Sequence, residues 1–287
     1  MKTGLHALIG LAALLLSLFT AETASAGALE RIRDKGAITL GYVEGAAPFS
    51  FTHEGKEPQG YSVDLCREIA EGIRAQLALP KLQTRWVVLT LQDRHEAVRS
   101  GRVDIDCSTT TWTLTRQREV DFSLITFIDG ATVLARGNTK LLQLNDFGGK
   151  RIAVIRGTTT ADALDRALKR RAVAAEVVTI ADRAEGLRLL RAGSVDGFAS
   201  DRLVLIGLVL QDPGKDTFKL LEDDFSMEQY ALVLPRNDHD FRLAVNSVLA
   251  RLYRTNDIIK IYDRWLGRLG KPSALLHATY WLQSVAE

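Results

Sequence analysis

Cysteine is scarce in this chain, with only Cys66 and Cys107 among 287 residues. They form no CxxC motif and no cluster with histidine, so the sequence predicts neither a metal site nor a cofactor. The chain also lacks an excess of one charge, because its formal net charge is +2 at pH 7. Its basic residues are spread along the sequence rather than clustered, which argues against nucleic acid as a partner.

Long apolar runs are also missing, except at the N-terminus. There, residues 5–19 are apolar, Lys2 precedes them, and Ala24-Ser25-Ala26 follows as an A-x-A cleavage site. This pattern predicts a secretory signal peptide over residues 1–26, and the alternative is an N-terminal anchor helix. No cysteine follows the run, which argues against lipid attachment there. We expect the mature chain to begin after Ala26 and to reside in the periplasm.

The two cysteines allow two arrangements. Cys66 falls early in a predicted helix, and Cys107 ends a predicted strand. An exported, oxidising compartment permits a disulfide if that helix packs over that strand. Otherwise the two residues are separately buried thiols, and the sequence leaves both arrangements open.

Strands and helices alternate in the first part of the mature chain. Helical spacing of apolar residues predicts helices at 62–78 and 91–100, with Ser62 as a candidate N-cap of the first. Apolar, β-prone segments predict strands at 37–43, 82–89 and 103–107. The order β-α-β-α-β favours a mainly parallel sheet with helices on its faces.

A second β-α series follows and repeats part of the first. The hexapeptides RSGRVD at 99–104 and RAGSVD at 191–196 lie at the same place in the two series, which we interpret as two lobes of similar plan. Thr160 is a candidate N-cap of the first helix in this series. The predicted elements are strands at 151–155, 176–180 and 197–200 and helices at 161–171 and 184–192.

Two long β segments, at 124–135 and 226–234, are candidates for connections that cross between the lobes. On this interpretation the second lobe comprises residues 131–227, and the first lobe comprises residues 27–130 and 228–287. The last part is predicted to be helical at 237–254 and 258–266, and its apolar stretch at 275–282 is expected to pack on the body of the protein.

Four polar clusters follow predicted strands: residues 108–116, residues 157–160, Asp182-Arg183 and Asp201. Ligands of parallel α/β proteins gather at such strand ends. Arg116 offers a two-pronged donor for a carboxylate, and the N–H groups at a helix start near 157–160 suit an anionic group. Asp201 suits an ammonium, so the set matches the two ends of an α-amino acid. The alternative is a set of solvated turns and helix caps.

These stretches resemble family 3 solute-binding proteins of bacterial amino-acid ABC transporters. The resemblance spans about residues 30–268 and extends most closely to the glutamate/aspartate binders, through LQDR at 91–94, DCSTTT at 106–111 and RGTTT at 156–160. Its remaining motifs are ITLGYVEGAAPFSF, GYSVDLCREIA, SGRVDIDCSTTTWTLTRQREVDFS, VIRGTTTADAL, AGSVDGFASDRLVL and IIKIYDRWLG. The resemblance implies a two-lobed type II periplasmic-binding-protein fold, with two hinge strands between lobes that each hold a mainly parallel sheet.

The resemblance also implies roles for single residues. Arg116 should hold the α-carboxylate of the ligand, and Asp201 should hold the α-ammonium. Thr109 and Thr111 should assist from the first lobe, and Thr158 or Thr159 should donate from the second.

The side-chain end of the expected site departs from the pattern of the acidic-ligand binders. Val43 stands where an arginine is expected, Leu91 replaces a serine, and Trp112 replaces a small polar residue. Arg94 is retained, and Arg183 stands where a histidine is expected. Two arginines still suit an acidic side chain, but the other changes indicate an unusual pocket for the ligand side chain.

The resulting prediction is a monomeric, non-enzymatic receptor. It binds a polar L-amino acid by hinge closure and delivers it to an inner-membrane ABC permease. The sequence leaves open whether that amino acid is acidic or is larger or less acidic than glutamate. The alternatives are a periplasmic enzyme on the same fold, similar to cyclohexadienyl dehydratase, and a ligand-sensing domain.

Overall fold

The computed structural model describes residues 27–53, 55–212, 214 and 218–286. The predicted signal peptide lies outside the described residues. The strands are β1 (Ala37–Val43), β2 (Gln83–Leu89), β3 (Ile105–Asp106), β4 (Asp121–Arg136), β5 (Arg151–Ile155), β6 (Glu176–Ile180), β7 (Gly197–Asp201), β8 (Phe218–Leu220) and β9 (Ser226–Leu234). The helices are α1 (Ala28–Lys35), α2 (Tyr61–Gln76), α3 (Arg94–Arg99), α4 (Thr159–Arg170), α5 (Arg183–Arg191), α6 (Arg202–Gln211), α7 (His239–Arg254), α8 (Asp257–Leu266) and α9 (Ala274–Leu282). No helix in this part of the chain is both long and apolar enough to span a membrane.

The strands form one curled sheet in the order β2-β1-β3-β9-β4-β7-β5-β6, with β8 added to β4. At one end β1 pairs in parallel with β2 and β3, and at the other end β5 pairs in parallel with β6 and β7. The long strands β4 and β9 pair antiparallel between these groups. The chain therefore has two lobes of similar plan, joined by β4 and β9, as the sequence predicts.

Each lobe has its own apolar core. In the first lobe, the rings of Phe49, Phe127 and Tyr230 pack edge-to-face or stacked with one another, and the first two also pack edge-to-face with Tyr61, the first residue of α2. In the second lobe, the core forms where α4 packs over β5 and the last part of β4. The exact boundaries predicted at 130/131 and 227/228 remain predictions, since single residues on β4 and β9 belong to both lobes.

The lobes also touch near the hinge. Val204 on α6 belongs to the second lobe by sequence but packs into the core of the first. On the same helix, a Cβ added at Gly207 would lie 2.0 Å from the carbonyl oxygen of Ala47. Only glycine lets the α6 backbone approach the first lobe this closely.

A disulfide joins Cys66 on α2 to Cys107 just after β3, with their Cα atoms 6.2 Å apart. Both residues are fully buried. Helix α2 thus packs over β3. Of the two arrangements that the sequence allowed, the disulfide rather than a pair of separate thiols is present. The bond lies immediately before the polar stretch at 108–116.

Helix starts differ from the sequence-based expectation. Helix α2 begins at Tyr61 with Gly60 at the N-cap position, so Ser62 is not the cap. Thr158, rather than Thr160, caps α4, because its hydroxyl oxygen accepts the Ala161 N–H. The C-terminal stretch forms α9, which buries Leu276 and Tyr280 against the first lobe, as predicted.

Candidate ligand cleft between the lobes

A cleft between the lobes brings together every residue that the sequence singled out for ligand binding. The first lobe contributes Arg94, Thr109, Thr111 and Arg116, and the second contributes Thr158, Thr159, Arg183 and Asp201. The cleft is also lined by Leu91, Ile155, Thr160, Ala199 and Ser200. The lobes are closed over it, since Gln92 of the first lobe donates to the Ala181 carbonyl of the second at 3.1 Å.

Two buried guanidinium groups face the cleft from opposite lobes. Arg94 opens α3 and is 3% exposed, and Arg183 opens α5 and is 6% exposed. Arg94 donates to Ser108 Oγ at 3.3 Å and to the Thr109 carbonyl at 3.5 Å, but the Nε atoms of both arginines lack partners in the described structure. Burial lowers the pKa of both side chains. Neither lies within ion-pair distance of a described carboxylate, although Asp201 is close enough to both to balance part of their charge.

A third arginine, Arg116, lies in a short 3-10 helix after the threonine run. Its Nη1 donates to the Thr111 carbonyl at 2.8 Å, which orients the side chain toward the cleft. Burial and the nearby charge of Arg94 lower the pKa of Arg116 to about 10, so the group remains a cation at neutral pH. Three guanidinium groups thus converge on one cleft.

The threonines differ in what their hydroxyl groups contact. Thr158 Oγ1 donates to the Ile155 carbonyl, while Thr111 and Thr159 both donate to Glu228. The hydroxyl of Thr109 is buried and has no partner among the described residues. Thr109 is therefore the threonine whose hydroxyl is left for a ligand, whereas the other three are held by the protein.

Carboxyl groups also cluster here, with Asp201 in the cleft lining and Asp129 and Glu228 on the strands that join the lobes. Asp201 ends β7 and accepts a hydrogen bond from Thr160 Oγ1 at 3.2 Å, and burial and nearby Glu228 raise its pKa. Asp129 on β4 accepts from the backbone N–H groups of Gly130 and Leu203. Burial and the charge of Asp201 raise the Asp129 pKa to about 8.

Sequence reasoning missed Asp129 and Glu228. Both lie within the long β segments that were interpreted as connections, and they pair directly across β4 and β9. The available signal was an acidic residue at an inward position of an otherwise apolar strand, where an unpaired charge is costly.

The predicted pocket for the ligand side chain needs correction at two positions. Trp112 does not line the cleft: it is 37% exposed, and its Nε1 donates to Gln117 on the surface. Val43 is buried in an apolar cluster of the first lobe with Leu89 and Val103. Only Leu91, of the three departures from the expected pattern, reaches the cleft.

The family model for bacterial extracellular solute-binding proteins, family 3, matches residues 38–268. The chain belongs to this family. Among curated relatives, the L-glutamate/L-aspartate-binding protein of Pseudomonas aeruginosa is 30% identical over 251 residues, covering 87% of this chain and 83% of the relative. The L-cystine-binding protein TcyJ of Escherichia coli is 24% identical over 268 residues, covering 92% and 96%.

Solved structures of similar proteins confirm the fold. A periplasmic binding protein of an ABC transporter from Brucella ovis, with glutathione bound, has a TM-score of 0.74 at 23% identity, covering 81% of this chain and 72% of that one. An ancestral arginine-binding protein bound to arginine has a TM-score of 0.71 at 24% identity, covering 81% and 99%. The predicted family and the predicted two-lobed type II architecture are both confirmed.

Proposed function

We propose that this solute-binding protein is the periplasmic receptor of an ABC importer and that its ligand is an acidic L-amino acid. The observation that carries the proposal is the pair Arg94 and Arg183. Each is almost fully buried, each comes from a different lobe, and neither has an ion-pair partner in the described structure. Nearby carboxylates, Asp201 in both cases, balance part of these two charges, but no described carboxylate lies within ion-pair distance. A ligand carboxylate between the two guanidinium groups would therefore offset the remaining cost of burying them.

The other end of the cleft suits the backbone of an amino acid. In this proposal Arg116 holds the α-carboxylate and the unpartnered Thr109 hydroxyl assists it, since both residues line the cleft. Asp201, which lines the same cleft, accepts the hydrogen bonds of the α-ammonium in this proposal. Each of these contacts joins opposite charges away from bulk water, where charge-assisted hydrogen bonds are strong.

The relatives support the same ligand class. The similar proteins of Pseudomonas aeruginosa and Salmonella typhimurium are named for binding or importing glutamate and aspartate. Because the two lobes contribute different halves of the cleft, a bound ligand favours the closed form through contacts that the open form lacks. The closed form is then the state that a membrane permease would accept.

Isothermal titration of residues 27–287 against single amino acids tests the proposal. L-glutamate and L-aspartate should bind more tightly than L-glutamine, L-asparagine and L-arginine. A ligand at one hundred times its Kd should also stabilise the protein by about 2.7 kcal/mol. The proposal fails if glutamine binds as tightly as glutamate.

Replacing Arg183 with methionine separates the side-chain end from the backbone end. Arg183→Met should remove most of the preference for glutamate over glutamine, because it deletes one of the two guanidinium groups. The matched control is Arg188→Met, since Arg188 lies on the same helix with a side chain 67% exposed. Equal loss of preference in both variants would contradict the assignment of Arg183.

We also propose that the ligand leaves unchanged, as in a transport receptor rather than an enzyme. The match of Arg116 and Asp201 to both ends of an amino acid supports this. Proton NMR of equimolar protein and L-glutamate over a day should show the ligand intact. A new product that accumulates with time would favour the dehydratase-like alternative.

A further inference from the structure

One carboxylate touches both lobes at once. Glu228 lies on β9 and is 2% exposed. Its Oε2 accepts from Thr111 Oγ1 at 2.7 Å and from Thr159 Oγ1 at 2.9 Å. Thr111 belongs to the first lobe and Thr159 opens α4 in the second, and their hydroxyl oxygens lie only 3.2 Å apart.

The alternation of side chains along β9 directs Glu228 into the protein. Glu228 and Tyr230 are buried, whereas Met227 between the inward positions is 58% exposed. Ser226 also faces inward and donates to Oε1 of Glu228 at 2.6 Å. Both carboxylate oxygens are thus engaged, but only Oε2 has partners from the two lobes.

The same contacts reach the proposed carboxylate clamp. Thr111 donates its hydroxyl to Glu228 and accepts, through its carbonyl, the hydrogen bond from Arg116. Glu228 therefore fixes the residue against which Arg116 is oriented. Separation of the lobes carries Thr159 away from Thr111, and the buried carboxylate then loses one of its charge-assisted hydrogen bonds.

We propose that Glu228 is a positioning residue that holds the closed cleft together and thereby sets how tightly and how long ligand is retained. It acts through Thr111 and Thr159 and not by contact with the ligand. The inference rests on the proposed function only for the choice of ligand.

The test compares Glu228→Gln and Thr159→Val with wild-type protein in stopped-flow measurements with L-glutamate. Each change should raise Kd by about tenfold or more, mainly through faster dissociation, since each removes a charge-assisted contact present only in the closed form. The double variant should bind little worse than either single variant, because both lose the same interaction. Ser226→Ala is the matched control and should leave the dissociation rate near wild type, as it removes a donor that does not join the lobes.

A second measurement does not require the ligand to be identified correctly. Spin labels are attached at two exposed positions, Gln76 at the end of α2 in the first lobe and Arg170 at the end of α4 in the second. They report the distribution of distances between the lobes. Ligand-free Glu228→Gln should populate short distances less than ligand-free wild type. The proposal is overturned if dissociation rates and distances are unchanged in Glu228→Gln, or if Ser226→Ala has an equal effect. Failure of every amino acid to bind wild type, with the distance shift still present, would instead refute the proposed function alone.

Discussion

Removing the disulfide should lower both the stability of the first lobe and the ligand affinity of the polar stretch at 108–116. The bond joins residues 41 apart in sequence. The chain-entropy estimate rises from about 3 kcal/mol for a loop of about 15 residues to about 4.7 kcal/mol for one of about 100. It therefore assigns about 4 kcal/mol to this loop. The variant with both Cys66→Ala and Cys107→Ala should lose a similar free energy of unfolding.

Urea unfolding followed by tryptophan fluorescence measures this loss, since all four tryptophans lie in the segments assigned to the first lobe and Trp86 and Trp265 pack on its core. Wild-type protein kept in a reductant is the control, because it retains both cysteine side chains. Ligand affinity should fall as well, since Cys107 directly precedes the stretch at 108–116, which contains Thr109, Thr111 and Arg116. A loss below about 1 kcal/mol in both samples would refute loop closure as the source of stabilisation.

Two further predictions concern charged groups in and beneath the cleft. Arg116→Ala should abolish the thermal shift produced by any amino-acid ligand, and retained binding would contradict its role at the α-carboxylate. Asp129 holds a proton in the folded protein up to a pKa of about 8, whereas the unfolded chain releases it near pH 4. This carboxyl therefore favours folding most at acidic pH, and its contribution is lost by about 1.4 kcal/mol per pH unit between about 4 and 8. Asp129→Asn should flatten that dependence in urea unfolding at pH 5 and pH 8.5, and an unchanged slope would contradict the assignment.

Much of the fold followed from local patterns. The β-α alternation and the repeated hexapeptide predicted two lobes, because each series needs its own buried sheet. Polar residues that follow several of the strands lie together in one cleft, since carboxyl ends of parallel strands meet at one edge. Their roles in binding remain predictions. These signals are local, so a single sequence carries them.

The rest depended on long-range packing. Trp112 adjoins a cleft threonine in sequence, yet neighbouring residues of an extended segment point to opposite sides, and its ring faces solvent. The contacts of Glu228 with Thr111 and Thr159 join residues 117 and 69 positions apart. No short motif encodes such a contact. The cap of α4 shifted by two residues because Thr158, Thr159 and Thr160 are locally equivalent cap formers, and Asp201 engages the last of them.

The close approach of α6 to Ala47 constrains how the protein must open. Gly207 lies against the Ala47 carbonyl and Val204 is embedded in the first-lobe core, so we expect that side of the interface to act as a pivot. The lobes should then rotate about this point rather than slide past each other. The exposed hydrogen bond from Gln92 to the Ala181 carbonyl also joins the two lobes, and opening should break it. A bulkier residue at 207 would act as a wedge at the pivot and change the resting angle of the lobes while leaving the cleft residues intact.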